Sequence, residues 1–328
     1  MIGVDAIRDA RRRIADHILC TPLVGSAGLS ALCGSPVSLK LEHYQPTGSF
    51  KLRGATNAIL NLPAAERARG VVAASTGNHG CALSHAARAV GSRATICMSR
   101  LVPENKVAEV RRLGGDVRIV GQSQDDAQKE VERLVIESGL VMVPPFDHPE
   151  IVAGQGTIGL EIVEARPDVA TVLVPLSGGG LAAGIAAAVK DMRPAANVIG
   201  LTMENGAAMK ASLDAGRPVL VDELPSLADS LGGGIGLNNG VTFTMCRALL
   251  DDVVLVTEAE IAAGIRYAYN EEREILEGAG AIGIAALLAD KIPSLRGPVV
   301  VVLSGRNIDM RLHRSVVQGQ NTVFREED

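Results

Sequence analysis

Short β-branched runs alternate with Ala- and Leu-rich helical patterns along most of this 328-residue chain. A glycine or polar turn follows each run, and a segment of helical periodicity follows the turn. The runs lie at residues 71–74, 93–98, 117–120, 141–143, 171–175, 198–202 and 299–303. Because repeated βα units form parallel strands covered by helices on both faces, the pattern predicts an open α/β architecture.

Composition excludes several classes of protein. Apolar residues make up 47% of the chain, and its net charge of -5 contains no block of like charge. With no Trp, three Tyr and four Phe, it has few rings for base stacking, so nucleic acid is not an expected partner. No apolar run approaches the ~20 residues of a membrane helix. Five cysteines without metal spacing indicate a reduced, cytoplasmic protein.

Lys51 ends the sequence TGSFK and begins a helical pattern that continues to Leu62. An isolated lysine is most often a solvated surface charge. Here a turn at Gly48 and Ser49 places Lys51 in the first helical turn, where the helix dipole disfavours a protonated amine and lowers its pKa. Such an amine is suited to forming a Schiff base.

Residues 75–79 (STGNH) and 177–181 (SGGGL) each follow a predicted strand and precede a helix, at the sheet edge where open α/β proteins bind ligands. The first segment suits a carboxylate, although an ordinary N-cap turn explains it equally well. The amides of the second can converge on a phosphate. A tight turn or a dinucleotide loop built on Gly178, Gly180 and Ala183 is the alternative.

Ser304 follows the last predicted strand, either as a strand-terminating turn or as a neutral hydroxyl facing the pyridine nitrogen of a cofactor. Lys51 and residues 75–79 favour a single phosphate at residues 177–181, because a dinucleotide site has no use for them. An amine, a phosphate loop and a carboxylate site together are what a pyridoxal phosphate enzyme requires.

Read in order, these segments resemble the pyridoxal phosphate enzymes of fold type II, the tryptophan synthase β-like family, and within it the serine/threonine dehydratases. The resemblance covers nearly the whole chain. It implies an α/β fold of two open lobes with mostly parallel sheets. Residues 1–48 and 145–328 would form a large cofactor-binding domain, and residues 49–144 a small mobile domain.

The resemblance also implies roles for individual residues. Lys51 would form the Schiff base and remove the proton from Cα, and Thr76 would be a second catalytic residue, with a methyl group that disfavours racemisation. The implied contacts to pyridoxal 5'-phosphate are Phe50, Lys51, Asn78, Ser177, Gly178, Gly179, Gly180, Leu181 and Ser304. The implied contacts to substrate are Ser75, Thr76, Gly77, His79, Gln124 and Ser230.

Three positions depart from the family pattern. Lys210 stands six positions after Glu204, where the racemases and related dehydratases carry the second carboxylate of a cation site, so no metal is expected there and the ammonium group would replace it. Gln124 stands where related branches carry an arginine suited to a second substrate carboxylate. Ser230 stands where glycine is usual.

The implied reaction is β-elimination of water from a β-hydroxy α-amino acid, followed by loss of ammonia. Residues 97–103, 203–209 and 231–236 are similar to hydroxyectoine-utilisation dehydratases. Hydroxyectoine lacks a primary amine, so its ring-opened form, 3-hydroxy-2,4-diaminobutyrate, or a relative is the expected substrate. The alternatives are a general L-threonine/L-serine dehydratase and a non-catalytic pyridoxal phosphate or amino-acid-binding protein. A homodimer is expected, and a partner enzyme could consume the imine product.

Overall fold

Two sheets form the framework of the molecule. The computed structural model describes residues 1–320 apart from residues 76, 103 and 294. In that part of the chain the larger sheet has six strands in the order β1 (Leu23–Gly25), β2 (Val37–Lys40), β10 (Val299–Val302), β7 (Thr171–Pro175), β8 (Asn197–Met203) and β9 (Asp252–Val256). The smaller has four, in the order β5 (Asp116–Ile119), β4 (Ala94–Met98), β3 (Val71–Ala74) and β6 (Val141–Met142). All these strands pair in parallel except β1 with β2, which confirms the predicted fold class.

Helices cover both faces of the sheets. In chain order they are α1 (Val4–Ile14), α2 (Ala27–Cys33), α3 (Lys51–Asn61), α4 (Ala64–Arg69), α5 (Asn78–Ala89), α6 (Glu104–Arg112), α7 (Gln124–Ser138), α8 (Pro149–Ala165), α9 (Gly180–Met192), α10 (Ala208–Ala215), α11 (Thr242–Leu249), α12 (Glu258–Tyr267), α13 (Gly278–Leu288) and α14 (Met310–Val317). Short 3₁₀ helices span Glu42–Tyr44 and Asp229–Leu231, and a π-helical turn spans Ala268–Glu272. Among the described residues, no helix is long and apolar enough to cross a membrane.

Strand β10 shows why the larger sheet is buried on both faces. Its four valines are all buried, and successive side chains point to opposite faces of a strand. Val299 and Val301 belong to the core formed with α12 and α13, whereas Val300 and Val302 belong to the core formed with α8 and α9. A continuous apolar run is therefore what this strand needs, because it has no solvent-facing side.

All the predicted strands are present, with ends that differ by at most one residue, within the usual uncertainty of such boundaries. The sequence pattern does not predict β1, β2 or β9. Strands β1 and β9 lie at the two edges of the larger sheet and are partly exposed. Strand β1 has only three residues, whereas β9 does carry an apolar run at residues 253–256 that the strand prediction passed over. Strand β2 is buried but carries Ser38 and Lys40, so its sequence does not form an apolar run.

The two sheets use different parts of the chain. All four strands of the smaller sheet lie within residues 49–144, and every strand of the larger sheet lies outside that range. Residues 143–148 connect β6 to α8 and so lead from one sheet to the layers of the other. The domain boundaries at 48/49 and 144/145 stay a prediction.

A buried network of ion pairs fixes the start of α3. The Arg53 guanidinium is fully buried and lies 2.8 Å from Glu42 and 2.6 Å from Glu161. Lys40 at the end of β2 also contacts Glu161, and Thr157 of α8 accepts a hydrogen bond from Arg53. Two positive and two negative groups are thus paired out of water, and removing any one would leave an uncompensated buried charge.

Candidate active site

A cleft of about 1600 Å³ opens at the carboxyl ends of β3, β7, β8 and β10. Parallel strands end at a common edge, which brings distant segments together. The predicted site residues that line this cleft are Phe50, Lys51, Ser75, Gly77, Asn78, His79, Ser177, Gly178, Gly179, Gly180, Leu181, Ser230 and Ser304. Thr76 and the side chain of Gln124 lie outside the part of the chain that the structure describes.

Lys51 is the first residue of α3, and its amine reaches into the cleft. The Nζ atom donates a hydrogen bond to the carbonyl oxygen of Pro145 at 2.8 Å and lies 5.4 Å from the centre of the Phe50 ring. Burial lowers the pKa of Lys51 to about 8, against the opposing effect of the Glu277 carboxylate. The predicted direction is therefore right, but burial rather than the helix dipole is the leading cause.

The Ser177–Leu181 segment forms a loop of free backbone donors between β7 and α9. Within the described residues, no protein hydrogen bond uses the N–H groups of residues 178–181. Gly179 has a φ of 88°, a left-handed conformation that favours glycine. Four free amides at the start of a 13-residue helix are a ready anion site.

Phe146 packs directly against this loop. A Cβ atom added to Gly178 would overlap the Phe146 ring, and one added to Gly180 would lie 3.2 Å from the same residue. The neighbouring Asp147 carboxylate accepts hydrogen bonds from the backbone N–H groups of Gly240, Val241 and Thr242 at the start of α11. Three consecutive residues thus make three different contacts. Pro145 contacts the Lys51 amine, Phe146 contacts the glycine loop, and Asp147 contacts the segment at the start of α11.

Asn78, the first residue of α5, is held by polar partners from the other end of the chain. Its Nδ2 donates to Glu277 at 2.7 Å, and its Oδ1 accepts from Asn307 at 2.6 Å. Ser230 also donates to Glu277, at 3.1 Å. Glu277 is only 3% exposed. Burial, reinforced by the Asp229 carboxylate, raises the pKa of Glu277 to about 7.

Ser75 and His79 flank the turn before α5. The Ser75 hydroxyl accepts a hydrogen bond from Gly80 N–H, in the first turn of α5, at 3.0 Å. The N-cap position itself is Gly77, so Ser75 satisfies a helical N–H from outside the N-cap. His79 Nε2 donates to the Val143 carbonyl at 2.8 Å. Burial and the nearby Lys51 amine lower the pKa of His79 to about 3, so the ring is neutral. Their contacts to a substrate carboxylate stay a prediction.

Ser304 is buried at the end of β10 and lines the cleft. Its carbonyl oxygen accepts a hydrogen bond from the Phe50 N–H at 3.0 Å, and Ser49 pairs with Gly305 across an isolated bridge. The segment that carries Lys51 is therefore fastened to the strand end that carries Ser304. The geometry brings together an amine, a free-amide loop and a neutral hydroxyl.

A family model described as "Pyridoxal-phosphate dependent enzyme" matches residues 14–305. The chain belongs to this family. It is 71% identical over 318 residues to a "Putative threonine dehydratase" of Sinorhizobium fredii, covering 97% of this chain and 96% of that protein. It is 41% identical over 329 residues to the L-threonine ammonia-lyase of Thermotoga maritima, covering 99% and 81%.

Solved structures agree with this assignment. Maize serine racemase superposes with a TM-score of 0.91 at 32% identity, covering 97% of both chains. The processed form of threonine deaminase isoform 2 from Solanum lycopersicum superposes with a TM-score of 0.90 at 35% identity, covering 96% of this chain and 92% of that one. The chain is thus a pyridoxal phosphate-dependent lyase of the dehydratase and ammonia-lyase type, and the interpretation as a non-catalytic binding protein is excluded.

The residues of the cleft fit pyridoxal phosphate. The free amides of residues 178–181 are donors that match the oxygen acceptors of a phosphate. Phe146 packs so closely on the loop that it leaves no room for side chains at Gly178 and Gly180. Lys51 supplies an amine with a lowered pKa for the aldehyde. The Ser304 hydroxyl is a neutral hydrogen-bonding partner for the pyridine nitrogen. The individual contacts of these residues to the cofactor stay predictions.

One of the departures from the family pattern, Lys210, acquires a local explanation. The Lys210 ammonium contacts both oxygens of Asp214 on the next turn of α10, at 2.7 and 2.6 Å, instead of pairing with the exposed Glu204. Gln124 is the first residue of α7, after Ser123, which forms a capping box with Asp126, and this cap does not account for the glutamine. In the described residues, no group of three or more His, Cys, Asp or Glu is placed to hold a metal ion.

Sequence reasoning missed Glu277, Asn307 and Phe146. A glutamate before the run GAGAIGIAALL reads as a surface N-cap, yet that run forms α13, whose first ten residues are all buried. An all-apolar helix indicates a buried helix, and its N-cap residue is then expected to be buried too. That signal could have identified Glu277, whereas nothing local distinguishes Asn307.

Proposed function

We propose that this lyase removes water and then ammonia from a β-hydroxy α-amino acid. The supporting observation is the Lys51 amine, which has a pKa of about 8 and faces the same cleft as the free amides of residues 178–181. Pyridoxal phosphate, when bound, supplies the electron sink for a negative charge at Cα. Lys51 is then the group that takes the Cα proton, because an amine with this pKa exchanges protons near neutral pH.

The proposed substrate carries a second amino group, with 3-hydroxy-2,4-diaminobutyrate as the candidate. The residues that line the cleft include the acidic Glu223, Asp229 and Glu277. Glu277 is buried, and a substrate ammonium group beside it would favour its charged form. The similarity of residues 97–103, 203–209 and 231–236 to hydroxyectoine-utilisation dehydratases supports the same choice.

A general L-threonine/L-serine dehydratase is the second candidate. It is favoured by the activities of relatives, such as the L-threonine ammonia-lyase of Thermotoga maritima at 41% identity. Threonine has a methyl group where the diamino substrate has an aminomethyl group. The two candidates therefore differ in one charge at the far end of the substrate.

A substrate panel on purified protein loaded with pyridoxal phosphate decides between them. Ammonia release is followed for 3-hydroxy-2,4-diaminobutyrate, L-threonine and L-serine, with Lys51→Ala as the inactive control. The proposal expects the largest kcat/KM for the diamino compound. Efficient turnover of threonine with none of the diamino compound would establish the second candidate, and no ammonia from any β-hydroxy amino acid would refute the proposed reaction.

We also propose a homodimer that works in the cytoplasm, with its imine product released or passed to a partner enzyme. Cys20, Cys33, Cys81, Cys97 and Cys246 are all free thiols, as a reducing compartment requires. The dimer rests on the family resemblance alone. Sedimentation of the loaded protein tests it.

A further inference from the structure

A hydrogen-bond chain crosses the floor of the cleft from Thr47 to Ser230. Asn307 Nδ2 donates to the Thr47 carbonyl at 2.9 Å and to Asn78 Oδ1 at 2.6 Å. Asn78 Nδ2 donates to Glu277 Oε1 at 2.7 Å, and the Ser230 hydroxyl donates to the same oxygen at 3.1 Å. The chain joins α5 to segments more than two hundred positions away in the sequence, through Asn307.

The direction of this chain is fixed at its Thr47 end. A backbone carbonyl can only accept, so the amide of Asn307 must turn its nitrogen towards Thr47 and Asn78. The Asn78 oxygen is then the acceptor, and its nitrogen faces Glu277. One N–H of Asn78 serves Glu277, and within the described residues the other has no protein partner and is free for the cleft that Asn78 lines.

Charged groups surround Glu277 from several elements. Asp229, next to Ser230 in the 3₁₀ helix, raises the pKa of Glu277, and Lys106 on α6 lowers it. Lys51 on α3 and Cys81 on α5 also interact electrostatically with this carboxyl group. Asp229 and Lys106 form an ion pair at 2.9 Å, between an element beside the larger sheet and one beside the smaller sheet.

We propose that Glu277 is a positioning residue whose carboxylate holds the Asn78 amide with one N–H aimed into the cleft, and that the Lys106–Asp229 ion pair controls whether Glu277 is charged. Pairing with Lys106 offsets the negative charge of Asp229, so ionised Glu277 is favoured when α6 contacts the 3₁₀ helix. An ionised carboxylate accepts more strongly from Asn78 than a neutral one.

Ser230 gives this chain a second donor to Glu277. A glycine at that position, which the family resemblance makes usual, has no hydroxyl to donate. A donor to the charged form stabilises it, so Ser230 acts in the same direction as Lys106. This inference deepens the proposed function and rests on it for the use of the Asn78 N–H by the cofactor.

The test is a pH titration of the cofactor-loaded protein without substrate, which makes it independent of the substrate panel. The visible absorbance of lysine-bound pyridoxal phosphate is recorded against pH, and the component that Glu277→Gln abolishes defines the Glu277 midpoint. Asp229→Asn is expected to lower that midpoint, whereas Lys106→Met and Ser230→Ala are expected to raise it, each by about one pH unit. In an Asp229→Asn background, Lys106→Met is expected to shift the midpoint less.

The opposite signs separate an electrostatic role from a merely structural one. A structural role would weaken cofactor binding at every pH and leave the midpoint unmoved, and it would overturn the inference. Shifts of the same sign in Asp229→Asn and Lys106→Met, or no Glu277-dependent component at all, would also overturn it. Asp229→Asn is isosteric at a side chain that is 58% exposed, so folding of this variant is not at risk.

Discussion

The amine of Lys51 and the carbonyl oxygen of Pro145 lie 2.8 Å apart, which joins the first turn of α3 to the segment between β6 and α8. Only the neutral amine can attack the aldehyde of pyridoxal phosphate. With a Lys51 pKa of about 8, that neutral fraction grows as pH rises through 8. Stopped-flow capture of cofactor by the apoprotein should therefore accelerate with pH, with a midpoint near 8 in place of the 10.5 of free lysine.

The same measurement on a Glu277 variant gives a second test. The Glu277 carboxylate opposes the effect of burial on Lys51, so Glu277→Gln should move the capture midpoint to lower pH. A midpoint above 10 in the wild type would contradict the burial of the amine.

Replacement of Lys51 by alanine should remove the visible band of the loaded protein, expected near ~410–420 nm for a protonated Schiff base. Ammonia release should fall to background, because the variant has lost both the attachment point and the base. Lys210→Ala is the control, since Lys210 pairs with Asp214 on α10 and should leave the band in place. A band that persists in Lys51→Ala would show that the cofactor is attached to another lysine.

The glycine loop offers a test of shape. In Gly178→Ala the new methyl group would overlap the Phe146 ring, and overpacking of this kind costs about 1–3 kcal/mol. Pyridoxal phosphate affinity should fall by about tenfold or more, since 1.4 kcal/mol corresponds to a factor of ten. Gly25→Ala, where an added Cβ meets nothing within 4 Å, should bind normally. Equal affinities in both variants would refute the close packing of Phe146 on the loop.

The sequence was most informative where chemistry is local. Lys51, the Ser177–Leu181 loop and Ser304 each stand directly after a strand or at the start of a helix, and the common edge of parallel strands brings such positions together. Strands with continuous apolar runs were predicted for the same reason. Edge strand β1 was not, because three partly exposed residues give no apolar run, and the run at residues 253–256 in edge strand β9 was overlooked.

What the sequence could not supply was pairing at long range. Asn78 and Glu277 are 199 positions apart, and their contact exists only because α13 is buried against the larger sheet. The lowered pKa of Lys51 was predicted from the helix dipole, a local property, whereas its main cause is burial, a property of the whole cleft. The partner of Lys210 likewise depends on which carboxylate lies on the next turn of its helix, here that of Asp214.

Because Lys210 pairs with Asp214, we expect that the activity does not depend on a divalent cation bound near Glu204. Glu204 is exposed, and an ammonium group occupies the position where a second carboxylate would be needed. Ammonia release by the loaded enzyme should be unchanged by EDTA and unchanged again by excess Mg²⁺. Activation by Mg²⁺ after chelation would show that a cation site has been built from other residues.

The Arg53 network should dominate the stability of the segment that carries Lys51. Arg53→Met would keep the apolar stem but leave Glu42 and Glu161 with only Lys40 as a cationic partner in a buried site. Breaking such a buried pair costs about 3–5 kcal/mol, so the urea midpoint should fall clearly. Arg133→Met is the matched control, because Arg133 pairs with Glu130 and Glu137 on the exposed face of α7 and should leave the midpoint unchanged. Equal midpoints for the two variants would mean that the buried charges are relieved by water, and the network would then contribute no more than a surface ion pair.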